Sequence, residues 1–160
     1  MKNLFKKIFK RDDKNDPVLF HSGSSNCFSN FSSYQVEWKG LVWKTSEHAY
    51  QASKFLDEKI KKEIFDSRSA YDSKMLSIKY KDKIRDGWYD MRLPIMEEII
   101  REKLAQHPHI KKKLLQTENR PIIEASKDDS FWGWGPNKTG QNNHGKIWMK
   151  LREELKNINS

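Results

Sequence analysis

A single cysteine, Cys27, is all that the sequence contains, so no disulfide can close within the chain. Neither a cysteine-rich zinc site nor a disulfide-stapled secreted scaffold is available to it. No apolar run approaches the roughly 20 residues that a membrane-spanning helix needs, and the amino terminus lacks the apolar stretch and small-residue cleavage site of a secretory signal. A soluble, intracellular protein is expected, cytoplasmic in location. Internal repeats and low-complexity tracts are missing as well, which sets solenoid architectures aside. The five histidines, His21, His48, His107, His109 and His144, never fall into the His-Glu-x-x-His spacing and have no cysteine partner, so neither a metal nor a cofactor is expected. No serine occupies a nucleophile elbow, and Cys27 carries no signature of an activated thiol. Water is then the economical nucleophile for any hydrolysis.

What the chain does contain is enough for one ordinary core. It has 160 residues, 36% hydrophobic and 12% aromatic with six Trp, which excludes a disordered polar chain although a third of the residues are charged. Lysine and arginine exceed the acids, 31 to 22, for a net charge of +9. The isoelectric point is near 9.5, and such a surface favours phosphorylated or polyanionic ligands. Part of the charge lies in residues 1–16, where Lys2, Lys6, Lys7, Lys10 and Arg11 surround Leu4, Phe5, Ile8 and Phe9. On a helix those apolar residues form one stripe, so this extension either lies on an anionic surface or stays solvated or packed on its own domain. Asp12-Asp13-Lys14-Asn15-Asp16-Pro17 reads as its boundary, which gives an extension over 1–16 and a domain over 17–160.

Strand signals are few and early. Val18-Leu19-Phe20 reads as a short strand, and residues 34–38 and 41–43 flank Lys39-Gly40 as a hairpin. Helical signals dominate from Thr45: residues 45–55, 58–65, and a stretch opened by Ser69 with Asp72 as a capping box and running to about Tyr80. Trp88, Met91, Ile95 and Ile99 repeat at helical spacing, with Pro94 either kinking that helix or starting a new one. His107-Pro108 reads as a cap and first-turn proline for a short basic helix, residues 121–125 as a strand, and 127–138 as a loop. A last helix runs from about Asn142 to Lys156. The expected fold class is α+β, a mainly helical single domain with a small N-terminal hairpin or sheet.

The richest chemistry sits in Thr45-Ser46-Glu47-His48-Ala49-Tyr50-Gln51-Ala52-Ser53-Lys54-Phe55. Thr45 or Ser46 can cap the helix, and Glu47 in its first turn interacts favourably with the positive end of the dipole, which favours an anionic carboxylate. Glu47, Tyr50, Gln51 and Lys54 form one polar strip, either a solvated face or one wall of a site. Near the other end, Gly135-Pro136-Asn137-Lys138-Thr139-Gly140-Gln141-Asn142 opens a helix as phosphate loops do. The Walker order of glycine, lysine and hydroxyl is absent, which leaves either a single-phosphate site or a plain cap and turn.

Four segments in order, Phe28-Ser29-Asn30-Phe31, the Glu47-His48…Gln51-Ala52…Lys54-Phe55 helix, Arg85-Asp86-Gly87-Trp88, and Asp129-Ser130-Phe131-Trp132-Gly133 leading into Gly140-Gln141-Asn142-Asn143-His144-Gly145, resemble the NADAR family. That family includes the YbiA-like N-glycosidases, and the resemblance runs from about Val18 to Leu155. It implies cleavage of an N-glycosidic bond, with Glu47, Trp88 and Asp129 as catalytic residues. Ser29, Asn30, Phe31, Tyr50, Gln51, Lys54, Arg85, Trp132, Gly140 and Asn142 are implied as substrate contacts. His144 departs from the pattern, which has an aliphatic residue there.

Such a reaction needs charge stabilisation at a developing oxocarbenium ion, a positioned water and a held leaving base. On this reading Glu47 orients the water or balances the charge, Asp129 binds the ribose hydroxyls or shares the proton work, and Trp88 stacks on the base. Lys54 and Arg85 contact phosphate or carbonyl groups. The resemblance implies as substrates riboflavin-pathway phosphoribosyl intermediates, or ADP-ribose on guanine in a nucleotide, DNA or RNA. The competing reading is a non-catalytic module that binds nucleic acid or an anionic surface through the extension and Lys111-Lys112-Lys113.

Overall fold

The computed structural model describes residues 15–22 and 25–158. The amphipathic stripe of the extension lies outside them. Along the chain come β1 (Val18–Phe20), β2 (Val36–Trp38), β3 (Leu41–Trp43), α1 (Ser46–Ala52), α2 (Glu58–Asp66) and α3 (Ala70–Lys79). After a 3-10 turn at Lys81–Lys83 follow α4 (Trp88–Gln106), α5 (Pro108–Gln116), β4 (Ile122–Glu124) and α6 (Asn143–Ile158). The molecule is a mainly helical α+β fold.

The hairpin forms where alternation and turn chemistry coincide. Lys39 and Gly40 both take positive φ, 52° and 76°, as a two-residue turn with the strands' own twist requires. Val36 and Trp38 point inward while Glu37 faces solvent. The second sheet was not legible as a sheet. β1 pairs in parallel with β4, Val18 against Ile122 and Phe20 against Glu124, across about a hundred residues of intervening chain. Strand periodicity marks each partner but says nothing about the pairing between them.

Most helix starts follow their caps. Asp57 accepts from Lys59 N and Ile60 N, and Ser69 accepts from Asp72 N. His107 is a correction: its side chain makes no cap bond, and Nε2 instead meets Gln35 O at 2.6 Å. Pro94 is a refinement, since α4 runs through it as one helix of 19 residues. α4 crosses the core and presents Ile95, Met96, Ile99 and Ile100 to it. From α4 the wholly buried Lys103 donates to Ser29 O at 2.9 Å and Ser32 Oγ at 3.0 Å. On the other flank, Trp148 of α6 donates from Nε1 to Phe28 O at 3.0 Å. The Phe28–Phe31 segment is thus held from two sides.

Candidate active site

Thr45, not Ser46, caps α1: its Oγ1 accepts from His48 N at 3.3 Å and lies 2.8 Å from His48 Nδ1. Glu47 N donates to Asn30 O at 3.1 Å, which joins α1 to the Phe28–Phe31 turn. All seven residues of α1 are buried, so its polar strip is no solvated face. It forms one wall of a cleft of about 550 Å³.

Inside that cleft Glu47 is 5% exposed, and its Oε1 accepts from Gln51 Nε2 at 2.6 Å. Burial raises its pKa above the ordinary carboxylate range, against the pull of Gln51, Lys54 and Lys74, and nearby Glu124 adds to the rise. The helix dipole had suggested an anionic group; desolvation outweighs it. Lys54 stands at the other end of the strip, 5.3 Å from the Tyr50 ring centroid, with Nζ donating to Ser77 Oγ at 3.2 Å. Burial brings it down to about 8, with Glu47 and Asp129 acting in the opposite direction. An acid pushed above its ordinary range and an amine brought below its own therefore face one space.

Asp129 reaches the same cleft from the loop after β4. Its Oδ1 accepts from Phe131 N at 2.9 Å and Trp132 N at 2.7 Å, which aims both rings and leaves Oδ2 for a ligand. The Trp132 ring meets Tyr50 at 5.6 Å and 90°, and Tyr50 meets Trp88 at 5.3 Å. Gly87, at φ 71°, turns the chain so that Trp88 enters as the first residue of α4. Trp88 is 3% exposed and Tyr50 5%, and both rings line the cleft. The ring faces nearer the opening belong to half-buried Trp132, Phe131 and Phe31 and to exposed Tyr89.

Of the other residues marked in the sequence, Ser29, Asn30, Phe31, Tyr50, Gln51 and Lys54 line the cleft. Arg85 does not; it lines a separate apolar pocket beside Trp38 and Trp43, with its guanidinium carbon 5.7 Å from the Trp88 centroid. The loop before α6 is likewise no phosphate cradle. Gly140 N, Gln141 N and Asn142 N donate to Trp134 O, Ser130 O and Gly133 O. At the start of α6, Asn143 N and His144 N donate to Phe131 O and Trp132 O. Asn142 holds Glu124 N through Oδ1 at 3.0 Å and Ile122 O through Nδ2 at 2.9 Å. These groups build the scaffold.

Among the charged cleft residues, Lys74, Arg92 and Glu124 escaped the sequence reading, and His144 was marked only as a departure from the family pattern. Arg92 lies four residues after Trp88, on the same helix face, and its guanidinium sits 3.3 Å from the Phe131 centroid. Glu124 alternates with Ile122 on the inner side of β4, and an acid on the buried side of a strand was the available signal. Among the described residues no group of three or more His, Cys, Asp and Glu is arranged to hold a metal ion, and no helix is long and apolar enough to cross a membrane.

A model of the NADAR domain matches residues 13–156. The chain belongs to the NADAR family. It is 34% identical over 140 residues to N-glycosidase YbiA of Escherichia coli K12, covering 86% of this chain and 88% of that protein. N-glycosidase Npun_R5314 of Nostoc punctiforme is 36% identical over 135 residues, covering 82% of this chain and 86% of that one. Riboflavin biosynthesis protein VVA0006 of Vibrio vulnificus is 36% identical over 141 residues; the match covers 87% of this chain and 38% of that longer protein. The NMR structure of E. coli YbiA superposes with a TM-score of 0.79 at 30% identity, over 90% of this chain and 88% of that one.

Proposed function

We propose that this NADAR domain is an N-glycosidase that hydrolyses the C–N bond between a ribose and a base. The carrying observation is the meeting of Glu47 and Asp129, from segments some eighty residues apart, in one aromatic-walled cleft. Glu47, buried and with its pKa raised by desolvation, is suited to hold and exchange a proton in the reaction. In the water-attack mechanism it orients the water or balances charge at the anomeric carbon, while Asp129 Oδ2 takes the ribose hydroxyls. Trp132 and Trp88 offer aromatic surface to the departing base, with Tyr50 in contact with both. Base–aromatic stacking is worth roughly 1–3 kcal/mol per base.

Two substrate classes fit. ADP-ribose on guanine, free or in nucleic acid, suits the net charge of +9 and the cleft cations Lys74 and Arg92. Phosphoribosyl intermediates of riboflavin synthesis are supported by the name of the Vibrio relative. The deciding experiment incubates the protein with a guanine-ADP-ribosylated oligonucleotide and with a phosphoribosyl-pyrimidine, and identifies freed sugar and base by mass spectrometry. Glu47→Gln should lower turnover roughly 100-fold or more and leave the thermal midpoint nearly unchanged. Full turnover in a folded Glu47→Gln protein refutes the assignment. Salt-sensitive nucleic-acid binding that survives this substitution, with no base released from either substrate, would favour the binding-module alternative.

The Lys54 amine favours a second mechanism. An amine brought down to about 8 can itself displace the base at the anomeric carbon, as desolvated lysines do with carbonyl carbons. The base would leave with a proton from Glu47, the glycosylamine would open to an imine, and water would then release the sugar and restore the amine. Borohydride added during turnover separates the two routes: reduction fixes the sugar on Lys54 if the imine forms, and leaves the protein mass unchanged if water attacks directly.

A further inference from the structure

The cleft also holds an acid–histidine pair that the mechanism above leaves unused. Glu124 ends β4 and His144 is the second residue of α6. His144 Nδ1 lies 3.2 Å from Glu124 Oε2, with side-chain exposures of 3% and 10%. A carboxylate can only accept, so the ring donates from Nδ1, and the buried Nε2 has no hydrogen-bond partner. Both side chains line the cleft beside Glu47 and Asp129.

Three features of the fold converge on this pair. The Glu124 peptide is locked, its N–H by Asn142 Oδ1 at 3.0 Å and its carbonyl by Trp134 N at 3.0 Å. A side chain at Gly133 would place its Cβ 2.7 Å from Glu124 O, and one at Gly145 would collide with Ile122 O, so both glycines are required for α6 and the loop to approach β4 this closely. The Phe20 ring, from β1, packs edge-on against the imidazole at 4.9 Å and 84°. A buried carboxylate is costly unless paired, and an apolar pair of the same volume is often at least as stable. Packing alone therefore gives no reason for an acid at 124 or a histidine at 144, where the family pattern has an aliphatic residue.

We propose that Glu124 is a third acid of the cleft, contacting the ribose alongside Glu47, and that His144 positions it through the Nδ1–Oε2 hydrogen bond. Oε1, which makes no hydrogen bond among the described residues, is the oxygen that accepts from a ribose hydroxyl. Glu124 is then a catalytic residue and His144 a positioning residue. The assignment rests on the N-glycosidase reading.

Base release is measured for the wild type, Glu124→Gln, His144→Leu and His144→Asn on the two substrates named above. Glu124→Gln should lower kcat/KM roughly 10- to 100-fold, the scale of one lost hydrogen bond to a charged group. His144→Leu should lower kcat about 10-fold with KM nearly unchanged, and His144→Asn, whose amide nitrogen stands near the position of Nδ1, should recover most of it. Should Glu124→Gln misfold, Glu124→Asp carries the test, since it keeps the charge and withdraws the carboxylate by one methylene. A folded position-124 variant with wild-type kcat/KM overturns the assignment. So does His144→Asn no faster than His144→Leu at equal thermal midpoint. If the wild type releases base and only these variants behave as wild type, Glu124 is refuted while the N-glycosidase stands; a wild type inert on both substrates refutes both.

Discussion

Two helix starts in this molecule are equally polar in sequence and opposite in structure. At α1, Glu47 is buried above its normal ionisation range, and the side-chain oxygens of Gln51 and neighbouring Asn30 are buried without partners. At α6, Asn142 uses both ends of its amide on β4, and the successive N–H groups from Gly140 to His144 all meet loop carbonyls. A buried polar group without a partner costs roughly 1–3 kcal/mol. Such groups persist where a ligand supplies the missing partner, and the matching of every backbone N–H from Gly140 to His144 identifies that loop as a scaffold. The contrast separates the residues proposed to meet substrate from those that hold them in place.

Asn142→Ala is the most disruptive way to test that contrast. It removes the partners of Glu124 N and Ile122 O together and places alanine at φ 51°, where asparagine is tolerated far better. Two unmatched backbone groups at roughly 1–3 kcal/mol each should lower the thermal midpoint by about 10 °C or more in a domain of this size. Asn142→Gly, which accepts the backbone conformation but not the hydrogen bonds, should recover only the smaller, conformational part. An Asn142→Ala protein with native melting and a raised KM would return Asn142 to the substrate side and break the comparison.

How far the sequence could be read follows the same division. Thr45, Asp57 and Ser69 announce their helices, and Lys39-Gly40 its turn, because caps and turns are local chemistry carried by a few adjacent residues. The polar strip of α1 could be drawn from spacing alone, but whether it faced water or a cleft depended on α3, α4 and the loop after β4 folding over it. Trp88 shows the limit differently: its helical spacing suits a core residue equally well, and only the folded chain brings its ring into the lining of the cleft beside Tyr50. The parallel β1–β4 pair joins segments about a hundred residues apart and the Glu124–His144 contact segments 20 apart, and periodicity carries no record of such pairings. Asn142 misled because a glycine-flanked polar loop before a helix has one sequence appearance whether its N–H groups point at phosphate or at its own carbonyls.

Lys103 sharpens the comparison from beneath the α1 region, because it grips Ser29 and Ser32 with no carboxylate beside it. Burial lowers it to about 7, while the unfolded lysine titrates near 10.4. Between those values the unfolded chain binds more protons than the folded one, so stability must rise with pH across that window. Lys54, also lowered, acts in the same direction, whereas Glu47, pushed up, opposes it up to its folded pKa, and the buried thiol of Cys27, pushed up, opposes it only near and above the ordinary thiol range. Urea midpoints should therefore increase from pH 7 to 8.5, and Lys103→Met should flatten most of that slope. An unchanged slope in Lys103→Met would mean that the buried amine is charged in the fold and that the segment under Glu47 is held by an ion, not by a neutral donor.

The smallest expected effect tests the α6 start directly. Lys138 is exposed, with Nζ 4.8 Å from the Trp134 centroid, a cation–π contact worth roughly 0.5–1 kcal/mol. If the glycine loop before α6 only braces β4, Lys138→Ala should leave KM within about twofold and shift the thermal midpoint by no more than the few degrees that such a contact allows. Arg92→Gln should instead raise KM about 10-fold, because Arg92 lies in the cleft against Phe131 and a charged hydrogen bond to phosphate is worth roughly 1.5–3 kcal/mol. Equal losses of affinity in the two variants would mean that phosphate spans from the cleft to the loop. The matched N–H groups of α6 would then have to open when substrate binds, and the distinction between its scaffold and the reactive wall of α1 would hold only for the empty protein.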